Sequence, residues 1–333
     1  MNDRKSEIEL LRIIVMILII VTHCIVWGTL KTNNASSSQQ LIGTLANDLI
    51  KWHVNVFIII TGFFGIKKIL NVSKVIIMSI FYTWIMYALQ CILCDTAFSF
   101  LPIIKSLFFI THTKYWFIQT YILLFLLAPF FNELIKKETY PLLAGSFLFI
   151  DCWCGYIHNE TISNGFGIIH FITMYIIGKG LKIYNITINK ETLIIALCLI
   201  SCFLSIQSLF YKDLTSGHGY NNPLLIINAI IIFLLFKRLN IQNRKINQLA
   251  SSCLAVYLIH DSDLGHLYIL KTISIINSCV ANPINYILTI ISLSICIYII
   301  GALLDKIMAL IYTPIIYNTI SILKNKFSNK YDL

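Results

Sequence analysis

The chain has 333 residues, 58% of them hydrophobic and only 12% charged, with a formal net charge of +10 and a mean hydropathy of +0.80. An ordinary soluble domain is roughly 25% charged, so there is too little polar surface here to coat a soluble globule. The basic excess would suit nucleic acid if it were clustered, but Lys and Arg are scattered over short polar stretches, a distribution that reads as membrane topology.

Apolar stretches of about 20 residues, enough to cross a bilayer, recur along the chain. They predict an all-α, polytopic membrane protein with about ten spans, near residues 8–30, 47–66, 74–94, 115–133, 140–157, 165–184, 192–210, 223–236, 247–269 and 284–305. No stretch between them is long enough for a soluble domain, so residues 1–333 read as a single integral-membrane domain whose partner is the lipid bilayer. With a cytoplasmic N-terminus, only Lys31, Lys51, Lys105, Lys114, Lys212 and Lys271 of the 25 Lys and Arg face outward, Arg12 lies within a span, and the rest face inward. That asymmetry predicts cytoplasmic N- and C-termini and an even number of spans. It accounts for the basic charge with no nucleic-acid partner.

The first span, Ile8 to Leu30, carries Arg12 and His23. An Arg at the centre of a membrane helix costs on the order of 2.5–3.5 kcal/mol, and such a residue is a functional-site candidate by default. Eleven residues at about 100° each come to only about 20° past three full turns, so both side chains share a face, roughly 16 Å apart along the axis. Glu9 stands three residues before Arg12 and can pair with it on that face. A structural reading stays open beside the functional one: Arg12 snorkelling to a headgroup and His23 hydrogen-bonded inside a bundle. The span is long and lacks a small-residue cleavage site, so it is expected to remain as a helix and not leave as a signal peptide.

Further along, residues 31–46, with the run Ser36-Ser37-Ser38, read as a polar outer loop. Phe98 to Phe109 is apolar yet too short to cross, which suits a re-entrant or interfacial piece over the outer mouth of a cavity, ending in Thr111-His112-Thr113-Lys114. A second outer loop runs from Lys212 to Asn222. The ten cysteines show no zinc pattern, and no metal is expected; Cys91 with Cys94 and Cys152 with Cys154 read either as disulfide candidates or as small apolar packing residues. Gln90, Gln119, Asp151, His170 and Asn228 are polar residues inside spans, consistent with a hydrated cavity or with interhelical hydrogen bonds. His260, Asp261 and Asp263 form a polar cluster in the ninth span, either a second relay or a helix break with both carboxylates in water. No internal repeat is evident, so the inverted-repeat signature of many secondary transporters is absent.

Four landmarks fall in order. Glu9-Leu10-Leu11-Arg12 followed by His23, the stretch Phe57 to Phe64 with Thr61-Gly62, Trp116-Phe117 with Tyr121 and Pro129, and Tyr257-Leu258-Ile259-His260 together resemble the signature of the acyltransferase 3 family of integral-membrane O-acyltransferases. The resemblance covers roughly residues 4 to 310. Glu9 stands where the family commonly has Asp, and Thr61 where it has Ser, which keeps a carboxylate and a hydroxyl. Asn55 stands where Asp or Pro is frequent, so a charge role there is lost. The hydrolase-like extra domain of some members is not expected here, so the resemblance is to a minimal, single-domain member.

The resemblance implies transfer of an acyl group, acetyl foremost, from cytoplasmic acetyl-CoA to a hydroxyl of a cell-surface glycan or lipid-linked sugar, in a multi-pass protein of the bacterial inner membrane. His23 then serves as general base or acyl carrier, and Glu9, which orients Arg12, is counted with it among the catalytic residues. A histidine has the pKa suited to that work near neutral pH, and a positioned base is worth about 10²–10⁴-fold. Arg12, about three turns nearer the cytoplasm, is suited to the donor's phosphates because a guanidinium keeps its charge and binds phosphate in bidentate fashion. Asn55, Thr61, Trp116, Tyr121 and His260 are further substrate or cavity candidates, although Thr61-Gly62 also fits close helix packing and Trp116 and Tyr121 also fit interfacial anchors. Asn55 and Thr61 are six residues apart, so at most one shares the cavity with His23. The rival is a transporter or flippase of a polar or lipid-linked sugar using the same polar path, which would have no need of acetyl-CoA.

Overall fold

The structure is a computed structural model that describes residues 5–32, 34–66, 71–108, 115–158, 163–210 and 219–327. The fold is all-α, 83% helical, with no strand among the described residues. The helices are α1 (Ser6–Ile25), continued by a π-helical turn Val26–Leu30, α2 (Ser37–Ile50), α3 (His53–Phe64), α4 (Asn71–Leu93), α5 (Phe100–Leu107), α6 (Trp116–Leu134) and α7 (Tyr140–Leu148), continued by a π-helical segment Phe149–Ile157. There follow α8 (Ile168–Ile183), α9 (Lys190–Phe210), α10 (Pro223–Lys237), α11 (Arg244–Ala250), α12 (Cys253–His260), α13 (Asp263–Cys279) and α14 (Pro283–Phe327).

Six helical stretches are long and apolar enough to cross a membrane by length and composition: Ser6–Leu30, Val72–Leu93, Trp116–Leu134, Tyr140–Ile157, Lys190–Phe210 and Pro283–Leu323. They coincide with six of the expected spans, and α10 is a shorter apolar helix. Large apolar side chains lie fully on the outside, Phe210 at 82% and Leu310 at 78% exposed; a surface of that kind suits lipid, since soluble monomers rarely expose large apolar patches. The other expected spans are divided or short. Residues 47–66 break at Lys51-Trp52 between α2 and α3, α8 has 16 residues, and 247–269 is split among α11, α12 and α13.

The segment read as the loop 31–46 is a correction: from Ser37 it is helix α2. Ser36 caps it, its side chain accepting from the Gln39 backbone while Gln39 Oε1 accepts from the Ser36 N–H at 2.7 Å, which satisfies two otherwise orphaned donors. The helix is polar inward, burying Gln39, Thr44, Asn47 and Asp48 while Leu41 and Leu49 are exposed. α5 packs on α4 and leaves Phe100 70% exposed, in keeping with an interfacial piece. Thr111 to Lys114 and Lys212 to His218 lie outside the described residues.

Helix α1 is the hub, packed against α2, α3, α10, α11, α12, α13 and α14. Polar side chains on such a helix must face protein, where partners or a cavity can accept them. The tightest crossing is α3 on α8. A Cβ on Gly62 would come within 2.3 Å of the Tyr175 carbonyl oxygen, and one on Gly178 within 2.3 Å of the Ile59 carbonyl oxygen. Only glycine lets the two backbones approach so closely, and this crossing fixes α3, which carries Thr61 and Asn55, relative to α8.

Candidate active site

Along α1 the side chains of Glu9, Arg12, Met16, Ile19 and His23 line one cavity of about 510 Å³. Their three- and four-residue spacing is the stripe of a regular helix, and α1 stays α-helical through Ile25, so the register holds from the charged end to His23. A cavity of this size is in the range that holds small ligands. At one end Arg12 donates to Glu9 Oε1 at 3.1 Å, with the Arg12 side chain 32% exposed, and Lys74 of α4 and Ser251 also line it. The middle is aromatic: Phe57, Phe117, Tyr121 and Tyr257. Thr61 Oγ1 donates to the Phe57 carbonyl at 3.0 Å and lies 3.0 Å from the Tyr121 hydroxyl. Trp116 also faces this cavity, stacked on Tyr220 at 6.0 Å between ring centroids.

At the other end His23 meets a cluster from the α12–α13 junction. His260 Nε2 lies 3.2 Å from His23 Nδ1, and Asp261 Oδ1 lies 3.6 Å from the same nitrogen. His266 Nε2 is 3.3 Å from Asp261 Oδ1. His260 is itself held by its Nδ1–H, which donates to the Val256 carbonyl at 2.7 Å. The junction exists because Ser262 ends one helix and starts the next, its Oγ accepting from the Gly265 N–H at 3.0 Å as an N-cap. Asp261 therefore does not point into open water; its side chain is 11% exposed. It also lines a second cavity of about 290 Å³ together with Thr83, Gln90, Lys105 and Asp263, so the His23–Asp261 contact separates the two cavities.

His23, Asp261 and His266 each offer one ligand-type atom within 4.8 Å of the others, close enough to hold a metal ion. The same atoms also account for one another as ring-nitrogen contacts to a carboxylate.

The structure thus brings together Glu9, Arg12, His23, Thr61, Trp116 and Tyr121 around one cavity, with His260 behind His23. Asn55 is elsewhere. It is fully buried, its Oδ1 2.9 Å from His170 Nε2 while its Nδ2 donates to the Tyr220 carbonyl at 2.9 Å. His170 Nδ1 in turn lies 2.7 Å from Asp151 Oδ2, which the π-helical segment places inside. Sequence reasoning missed the convergence of Asp261 and His266 on His23: the break it allowed in the ninth span was read with both carboxylates in water, whereas Asp261 turns inward. The signal for the break was present: a serine followed by an acidic residue is a helix start. It also missed His53, buried with Nε2 2.9 Å from Thr22 Oγ1. All ten cysteines are free.

An all-helical protein with lipid-facing helices and a polar cavity running from an arginine to a histidine cluster belongs among membrane enzymes or transporters, and the family comparison decides between them. The model of the acyltransferase domain family, acyltransferase 3, matches residues 5–305, and the chain belongs to that family: it is a membrane acyltransferase. No curated protein and no solved structure matches it.

Proposed function

We propose that this chain transfers an acyl group, acetyl foremost, from acyl-CoA to a hydroxyl of a cell-surface glycan or lipid-linked sugar, with His23 at the chemical step. In this reading about ten segments cross or enter the bacterial inner membrane, both termini are cytoplasmic, and the Arg12 end of the cavity opens to the donor. The observation that carries the reading is that one cavity joins the Glu9–Arg12 pair to His23. Arg12 suits the donor's phosphates because its charge is permanent and its donors are fixed in a fork, and Glu9 orients it. The apolar and aromatic middle separates the donor's charged end from the reacting thioester.

In the direct route, His23 takes the proton of the acceptor hydroxyl, its oxygen attacks the thioester carbon, and the C–S bond breaks. The imidazolium returns the proton to the departing thiolate, leaving an ester and free CoA thiol. In the covalent route, His23 first displaces the thiol and carries the acyl group before the hydroxyl takes it. Both need an unprotonated ring nitrogen facing the cavity. Trp116, Thr61 and Tyr121 line the same cavity and in this reading contact the acyl end or the acceptor.

Release of CoA thiol from acetyl-CoA, by membranes holding the wild-type chain or His23→Ala with a crude envelope glycan as acceptor, tests this. The expected result is release by the wild type and loss in the variant, with equal protein in the membrane. Equal release by both, or none by a wild-type chain given a glycan acetylated in its native cell, overturns the reading in favour of transport.

A further inference from the structure

The cluster behind His23 determines which of its nitrogens carries the proton. A carbonyl oxygen can only accept, so the 2.7 Å contact to Val256 places a proton on His260 Nδ1. In the neutral ring that leaves His260 Nε2 with its lone pair, 3.2 Å from His23 Nδ1. His23 must then donate from Nδ1. Its Nε2, which makes no hydrogen bond among the described residues, is left as the unprotonated nitrogen of a ring that lines the larger cavity. The groups facing His23 are His260 from α12, Asp261 at the junction, His266, whose ring also packs on Trp27, and His53 from α3, bonded to the neighbouring Thr22. Of these only Asp261 carries negative charge.

We infer that His260 is a positioning residue: it holds His23 in the tautomer with the proton on Nδ1 and the lone pair on Nε2, while Asp261 stabilises the positive charge that His23 gains in the reaction. The inference rests on the acyl-transfer reading for its kinetic consequence but not for its structural one. The chain of contacts, from the Val256 carbonyl through His260 to His23, is the same device by which a hydrogen-bond acceptor behind a catalytic imidazole orients it in hydrolytic triads, where the wrong tautomer costs as much as about 10⁴ in kcat.

Two measurements test it. In the full-length chain labelled with ¹⁵N-histidine, the His23 ring, assigned by comparison with His23→Ala, is expected to carry its proton on Nδ1 and to shift to the Nε2–H form in His260→Ala. In turnover of acetyl-CoA, His260→Ala is expected to lower kcat by about 10²-fold while the KM for acetyl-CoA stays within about twofold. His260→Gln, whose amide oxygen can accept from Nδ1, is expected to recover much of the loss. A wild-type His23 protonated on Nε2, or a folded His260→Ala protein with unchanged kcat, overturns the inference. The ¹⁵N signals need no turnover, so failure of the acyl-transfer reading shows separately, as absence of thiol release by the wild type.

Discussion

Two clusters of the same chemistry sit inside this helical bundle and are built differently. Around His170, both ring nitrogens are occupied, by Asp151 at 2.7 Å and Asn55 at 2.9 Å, with every member fully buried and outside both cavities. Around His23, the contacts to His260 and Asp261, and that of Asp261 to His266, are longer, 3.2 to 3.6 Å, one His23 ring nitrogen is unengaged among the described residues, and cavities lie on both sides. A short network of buried side chains in a low-dielectric interior ties elements together and holds them. An open one with an unengaged nitrogen on a cavity is available to a substrate. His170 thus reads as a clasp joining α3, α8 and the π-helical segment, and His23 as the group that meets chemistry.

The comparison can be broken in order of expected effect. Replacing His170 with alanine leaves Asp151 buried without its partner, which is expected to cost about 3–5 kcal/mol; thermal unfolding in detergent and the yield of folded protein read the loss. Asp261→Asn keeps size but removes charge near His23. It is expected to leave folding unchanged and lower kcat by about tenfold to a hundredfold, the equivalent of about 1.5–3 kcal/mol for a hydrogen bond to a charged group. Arg12→Lys keeps charge but loses the fork that matches phosphate. The KM for acetyl-CoA is expected to rise about tenfold, one charge-assisted hydrogen bond's worth, with kcat little changed in steady-state thiol release. The smallest effect falls on Tyr121→Phe, because Thr61 keeps its bond to the Phe57 carbonyl. A stability loss of about 0.5–1.5 kcal/mol and activity within a few-fold of wild type are expected.

How far the sequence alone reached depends on whether the information was local. The stripe from Glu9 to His23 follows from 3.6-residue periodicity, and α1 obeys it because it stays regular through Ile25. Six spans were legible from length and hydropathy. Helix α2 was misread because Ser36-Ser37-Ser38 suggests a loop, although Ser36 followed by Gln39 three residues later is a capping box written in the sequence. The break at Ser262 has a local signal in its serine cap, but the turn of Asp261 toward His23 depends on how α13 leaves the bundle, a tertiary decision. Asp151 and His170 were visible only as polar residues in apolar spans, and of the two readings open to them the interhelical hydrogen bond describes what the helices make of them. Asn55 and Thr61 shared one expected span, 47–66, yet only Thr61 faces the His23 cavity, since six residues bring them to different sides.

The central claim is that the His23 cluster performs chemistry while the His170 cluster holds the fold. The most direct test measures both properties in both variants: folded fraction by thermal unfolding and thiol release from acetyl-CoA, for His23→Ala and His170→Ala in the same membranes. The account predicts a crossed result, with His23→Ala folded like wild type but slower by about 10²–10⁴-fold, and His170→Ala less stable, with whatever protein remains folded retaining turnover per folded molecule. A His23→Ala protein that unfolds as readily as His170→Ala, or that turns over acetyl-CoA at the wild-type rate, would contradict it.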